Sequence, residues 1–353
     1  MIGVTGSAGK TTTVAMIAAV LTQPVARSVV GSVGSTQHNM NCDRGFPQTI
    51  LRYDGWTRST NLARLWLYAT VPLRALKLMA GAGYPNILVL EYALGGDAHI
   101  ETLARLARPD IAVVTTIGPA HLQYLKTVEA VAEHKGALIR AVPPGGLVIL
   151  GDNHPLVDRL QAMARAPVVR VPGRGIDLAV AIARVIARRL EIPDLAVNAA
   201  LASFEPPKGR LRTMWLERFT LIDDSFNANP LSMRLGLETL GELAPAAQAK
   251  RRLAVLGEMG ELGERALQFH RDIGIVARRH ADMIVAVGEL ARHYEPDRWY
   301  PTSKACADAI GQLVGDGDCI LVKGSQKARM GRVAERLKSI GGADRGKLRP
   351  TFN

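Results

Sequence analysis

The sequence predicts an α/β protein with mostly parallel sheets, built as two successive blocks. Three observations predict this. A glycine-rich loop closes the first apolar run of the chain, at Gly6–Thr12. Short apolar runs then alternate with longer helical patterns, and a Pro/Gly-rich connector, Glu205-Pro-Pro-Lys-Gly-Arg210, separates two such series. Apolar runs of strand length without polar alternation belong in parallel sheets covered by helices on both faces.

In order, strands are expected at Ile2–Thr5, Ile87–Glu91, Ile111–Thr115 and Leu147–Leu150, then at Thr220–Ile222, Leu253–Leu256, Met283–Val287 and Cys319–Val322. Helices are expected at Val14–Leu21, Val128–Ala141, Leu178–Leu190, Ser232–Leu243 and Ala266–Arg279. The domains drawn from this pattern are 1–207, with an insertion at 51–80, then 208–337, then a basic tail at 338–353 that reads as solvated and frayed.

The opening loop reads Gly6-Ser7-Ala8-Gly9-Lys10-Thr11-Thr12 between a strand and a helix. Glycines let backbone N–H groups curl around phosphate oxygens, and the following helix points its positive end at the same place. Lys10 has the reach for terminal phosphates, and the Thr11 hydroxyl suits Mg²⁺. Val4 stands where the longer form of this motif has its first glycine, so this is the shorter variant. ATP chemistry follows from these residue types in this order.

Ligands of open α/β sheets gather at the carboxyl ends of strands. Glu91 ends one apolar run, His121 follows another, and Lys135 lies fourteen residues further on in a helical stretch. Taken singly, a strand-end Glu or His is more often structural; behind a phosphate loop, both become candidate ligands of a phosphate-bound metal, which needs few protein donors.

With 44 Lys+Arg against 32 Asp+Glu the net charge is +12, which admits anionic partners. Aromatic residues are only 5% and no nucleic-acid module is present, so anionic small molecules are favoured over nucleic acid. Cys42, Cys306 and Cys319 are scattered without metal or disulfide spacing, which fits a cytoplasmic protein, and no signal peptide is expected ahead of the loop. The 56–79 stretch is apolar but broken by Arg64, Pro72, Arg74 and Lys77. It reads either as an amphipathic helix pair packed on the domain or as a membrane-peripheral helix anchored by Trp56 and Trp66.

The segments Val4–Thr12, His38–Pro47, Val89–Glu91, Ile117–Leu122, Lys135-Gly136, Lys208–Leu211, Ile222–Pro230, Val255–Gly263 and Val322–Ser325 resemble the Mur ligase family. The likeness is greatest to its MurF branch, which adds D-Ala-D-Ala to UDP-MurNAc tripeptide. The resemblance implies a P-loop ATPase central domain followed by a Rossmann-like C-terminal domain. It implies an ATP- and Mg²⁺-dependent ligase that joins a small-molecule carboxylate to an amine through an acyl phosphate. By the family pattern Gly6, Ser7, Ala8, Gly9, Lys10, Thr11, Thr12, Arg210 and Asp224 contact ATP. Thr11 and Glu91 hold one metal and His121 a second, while Lys135 stands where relatives carry a carbamylated lysine, or else contacts phosphate directly. Asn39, Asn41, Asn227, Asn229, Ser232, Lys323 and Ser325 are placed on the substrate side, although Asn-Ala-Asn-Pro is also good turn chemistry.

Departures from the family pattern accompany the match. The UDP-gripping N-terminal domain is not represented in this sequence, which admits a separate substrate-binding subunit, a carboxylate substrate without a nucleotide handle, or a sequence cut from a longer chain. The adenine-binding asparagines are missing near Gly173–Ala181, Thr116 replaces an asparagine, and Gln326 replaces an arginine that Lys327 or Arg329 would have to substitute. Two alternatives follow: a Mur-like ligase for another carboxylate (poly-glutamate, cyanophycin-like or natural-product amide), or a degenerate nucleotide-binding homologue.

Overall fold

The computed structural model describes residues 1–36, 45–52, 70–78, 83–93 and 99–346. The chain divides into two compact units: 1–117 with 132–204, and 118–131 with 205–353. A single break after residue 207 does not foresee that the short stretch 118–131 joins the second unit. The reason is local: Gln123 N–H donates to Glu261 O (3.0 Å), and a side chain on Gly263 would press on Gln123 Cα at 3.3 Å.

The first unit carries a six-stranded parallel sheet made of β1 (Ile2–Thr5), β2 (Val33–Ser35), β3 (Ile87–Glu91), β4 (Ile111–Val114), β5 (Leu147–Gly151) and β6 (Val168–Val171). Their order is β2-β3-β1-β4-β5-β6. Strands β1, β4 and β5 are buried along their whole length, as their apolar runs require. Register places Val4 beside both Glu91 and Val113, so the phosphate loop, the acid and the β4 exit leave the sheet at one edge.

The helix Lys10–Leu21 is apolar on all sides after its first turn. It is buried accordingly, with Val14, Ile17, Val20 and Leu21 against Ile182, Ala183 and Ile186 of the helix Gly175–Arg189 and Val197 of the helix Asp194–Ser203. An Ile17→Ala change there would cost about 2–5 kcal/mol. Gly3 makes room for the buried Tyr92 ring, whose Cε2 would stand 2.9 Å from an added Cβ. Tyr92 Oη donates to Ala107 O, and the ring meets Phe46 edge-on at 4.8 Å. This packing fixes the backbone immediately after Glu91.

The second unit holds β7 (Arg212–Trp215), β8 (Thr220–Asp224), β9 (Arg251–Gly257), β10 (Met283–Val287), β11 (Arg298–Tyr300) and β12 (Asp318–Lys323), ordered β11-β10-β9-β12-β8-β7. All neighbours are parallel except β7, which runs antiparallel to β8. One face of the sheet packs Leu253, Val255, Val285, Ile320 and Val322 with Val333, Ala334 and Leu337 of the helix Gly331–Gly341.

The expected strands and helices appear, with ends shifted by a few residues. The four strands not foreseen, β2, β6, β7 and β11, are the outermost strands of the two sheets, short and only partly buried. The start of the tail expected from residue 338 is ordered, because the helix Gly331–Gly341 extends into it and Lys338 Nζ reaches the buried Asp223 at 2.8 Å, whereas 347–353 lie outside the described residues. Leu216 and Asp344 then pair as a β-bridge. Trp56, Trp66 and most of 56–79 lie outside the described residues; 70–78 is helical, with Leu73 and Leu76 exposed. Among the described residues no single helix is long and apolar enough to cross a membrane.

Candidate active site

In the first unit the phosphate loop is built by the backbone. Gly6 (φ 148°) and Gly9 (φ 82°) adopt conformations that glycine tolerates and side chains resist. At Gly6 space decides as well, because a Cβ would lie 1.9 Å from Thr115 Oγ1. Thr115 braces the loop by donating its hydroxyl to Ala8 O (2.6 Å), and Ser7 N–H donates to Thr116 O (2.8 Å). No side chain among the described residues caps the helix Lys10–Leu21, so its first N–H groups are directed into the cradle. Lys10 Nζ folds back to Gly6 O at 2.9 Å. Gly6, Ser7, Ala8, Gly9, Lys10, Thr11 and Thr12 therefore form one continuous loop and first helical turn, with the Ser7 N–H spent on Thr116 O. These oxygen and N–H donors fit a nucleotide triphosphate with a hard cation.

Glu91, at the end of β3, is only 2% exposed, and its N–H donates to Thr36 Oγ1 (2.9 Å). Lys135, on the part of the helix Val128–Ala141 that belongs to this unit, is 1% exposed. Its Nζ has no hydrogen-bond partner among the described residues. Burial pushes the Lys135 ammonium well below the usual lysine range; the charge of Lys10 adds to this and Glu91 opposes it. Lys10, Glu91 and Lys135 thus share one electrostatic neighbourhood. A buried amine without an acceptor is costly as a cation and nucleophilic as a neutral base.

The remaining candidates lie in the second unit, apart from Asn39 and Asn41, which are outside the described residues. His121 precedes a single helical turn in the left-handed region (φ 56°), with Nδ1 at 2.6 Å from Glu261 Oε2. Arg210 stacks its guanidinium over Phe226 at 4.0 Å. Asp224, ending β8, accepts from Leu211 N–H (3.2 Å) and pairs with Lys323, whose Nζ also donates to Asn227 O at 3.0 Å. Burial moves both partners toward neutrality, Asp224 up and Lys323 down, while their mutual attraction opposes this. Lys323, which the resemblance assigns to the substrate side, is 1% exposed and is held on that carboxylate. Ser325 is buried beside it, its N–H donating to Glu258 O (2.9 Å).

Asn229 and Ser232 form a capping box on the helix Pro230–Ala246. Each side chain accepts from the other's N–H, at 2.9 and 3.1 Å. Turn chemistry accounts for this pair. Sequence reasoning missed Thr115, Thr36 and Glu261. A threonine just beyond a buried strand that flanks the loop was the available signal for Thr115, and Glu261 lay inside a quoted family segment with no role attached.

Fold and loop define a class of two α/β units, the first opening on a phosphate loop, and the family matches make it an ATP-dependent ligase. The chain belongs to the Mur ligase family. The Mur ligase middle domain matches residues 4–59 and 71–187, and the Mur ligase glutamate ligase domain matches 209–326. The UDP-N-acetylmuramoyl-tripeptide--D-alanyl-D-alanine ligase of Mycobacterium tuberculosis (strain CDC 1551) is 31% identical, covering 96% of this chain and 72% of that protein. Crystal structure I of MurF from Acinetobacter baumannii superposes with TM-score 0.75 at 22% identity, covering 96% of this chain and 76% of its own. The bifunctional folylpolyglutamate synthase/dihydrofolate synthase of Yersinia pestis, complexed with AMPPNP and Mn, gives TM-score 0.64 at 18% identity, covering 96% and 88%. The family resemblance carried by the sequence motifs is borne out.

Proposed function

We propose that this chain forms an amide bond between a peptidoglycan-precursor carboxylate and an amine of the D-Ala-D-Ala type, at the expense of ATP and with Mg²⁺. The observation that carries the reading is the electrostatic grouping of Lys10, Glu91 and the unpartnered, buried Lys135 behind a phosphate nest. A carboxylate oxygen attacks the γ-phosphorus, the bond to the β-phosphate oxygen breaks, and ADP leaves. The amine then attacks the acyl carbon, loses a proton and expels inorganic phosphate.

In this reading the N–H groups of the Gly6–Thr12 loop other than that of Ser7, together with Lys10, hold and neutralise the phosphates, so the rate gain comes from positioning and charge stabilisation. Thr11 and Glu91 supply hard oxygen donors to a divalent cation, and His121 supplies a nitrogen to a second; bound metal would neutralise charge on the moving phosphoryl group. Lys135, whose ammonium is disfavoured by burial and by Lys10, would in its neutral form add carbon dioxide, lose a proton and become an anionic carbamate beside Lys10. Arg210 and Asp224 are assigned to the nucleotide, and Asn39, Asn41, Asn227, Lys323 and Ser325 to shaping the substrate side. The 56–79 stretch is proposed as a membrane-peripheral contact in a cytoplasmic enzyme; absence of flotation with anionic vesicles removes that element.

The test is ADP release with UDP-MurNAc tripeptide and D-Ala-D-Ala. Release that requires both substrates and is lost in Lys10→Ala and Glu91→Ala supports the reading. Hydrolysis indifferent to the amine overturns it. The second reading, a Mur-like ligase for a different carboxylate, gains weight from the fold shared with the folylpolyglutamate synthase, and a wider substrate panel separates the two.

A further inference from the structure

Glu261 has no part in the chemistry above, yet it makes a short polar contact with His121: Nδ1 to Oε2 is 2.6 Å. An ionised carboxylate can only accept a hydrogen bond, so this contact places the imidazole hydrogen on Nδ1 and the lone pair on Nε2. The pairing is doubly built, because Gln123 N–H also donates to Glu261 O (3.0 Å), two residues beyond the histidine. Both His121 (φ 56°) and Glu261 (φ 60°) occupy the left-handed region, one opposite the other.

The loop presenting Glu261 is itself held from behind. Tyr294 Oη donates to Gly257 O (3.0 Å), Leu290 N–H donates to Glu258 Oε1 (2.9 Å), and Met259 N–H donates to His270 Nε2 (3.1 Å). His270 is fully buried, its Nδ1 lies 2.7 Å from Ala266 O, and its ring stacks on Tyr294 at 5.0 Å. The backbone leading to Glu261 is therefore held at Gly257, Glu258 and Met259, while the Glu261 carboxylate itself is 44% exposed and reaches the more buried imidazole from that backbone.

We infer that Glu261 is a positioning residue, which sets the tautomer and ring orientation of His121 so that Nε2 is the donor nitrogen. This rests on the reading of His121 as a metal ligand. Partners that hold a ligating imidazole in this way typically change metal affinity 10–100-fold when removed.

The experiment uses the full chain without ligand first. A long-range proton–nitrogen correlation spectrum at about pH 8, above the usual histidine titration, reads the tautomer of each histidine; a His121→Gln spectrum assigns the peak. The wild type should show hydrogen on Nδ1 alone. Glu261→Met, similar in size but with no acceptor, should show hydrogen on Nε2 in a substantial fraction, and Glu261→Gln should stay close to wild type. Should the Met variant not fold, Glu261→Asp, whose carboxylate is withdrawn by one methylene, is read in the same way. Mn²⁺ affinity in the presence of ADP, followed by electron paramagnetic resonance, should fall about 10–100-fold in the Met variant. An unchanged tautomer overturns the inference. A changed tautomer with unchanged Mn²⁺ affinity upholds the positioning role and removes the metal role of His121 from the proposed function.

Discussion

Lys135→Met should stabilise the protein while abolishing turnover. The buried Nζ is cut off from water and has no acceptor among the described residues, and Met keeps nearly the same volume with no polar head. Leaving a buried donor unsatisfied costs about 1–3 kcal/mol. Each unit by which the ammonium is depressed adds about 1.4 kcal/mol at pH below the folded-state value, and at neutral pH only the part of the depression lying above about pH 7 counts. The sign follows from proton counting. The folded-state value lies below that of the unfolded chain. Between the two, the unfolded chain binds more protons, so wild-type stability rises with pH across this window and the penalty is largest below it. The Met variant lacks this slope. In carbon dioxide-free buffer near neutral pH it should melt higher by about 2–4 °C for each kcal/mol gained. The gain should shrink as pH approaches the unfolded lysine value near 10.4. Calorimetry at a series of pH values measures this. A Met variant that melts lower than wild type, or whose advantage does not change with pH, refutes the claim that Lys135 is an uncompensated buried amine.

Gly6→Ala should lose nucleotide affinity by at least about tenfold in a fluorescent-nucleotide titration, since the Cβ collides with Thr115 Oγ1 and the backbone conformation costs about 1–3 kcal/mol for a non-glycine. Adding Thr115→Ala should recover only part of that loss. Lys323→Ala should destabilise by about 3–5 kcal/mol in urea unfolding, because Asp224 is left buried without its partner. His270 is held below the usual histidine value by burial. The stability it lends should be complete above about pH 6.5 and lost as pH falls through its lower folded value. A His270→Gln variant should show a flatter acid limb in the same melts.

Much of this was legible because the chemistry sits where local sequence rules are strongest. The opening strand, the Gly6–Thr12 loop and the apolar helix after it are each dictated by neighbouring residues, and Glu91 ends a run whose apolar character fixes it as a buried strand. The edge strands were hidden because Val33–Ser35 and Arg212–Trp215 are short and half exposed, with no burial pattern to read. The partner of Lys323 was hidden for another reason. Lys323 and Asp224 lie 99 positions apart, and only the register of β12 against β8 sets them level. Glu261 and Thr115 depend on contacts between segments 140 and 107 positions apart, which no local rule anticipates.

The central claim is that a carboxylate is activated by phosphorylation, and isotope transfer tests it most directly. With the substrate carboxylate labelled by heavy oxygen, each amide formed should deliver one labelled oxygen atom to the released phosphate, detected by mass spectrometry. Amide formation that yields unlabelled phosphate would contradict the account.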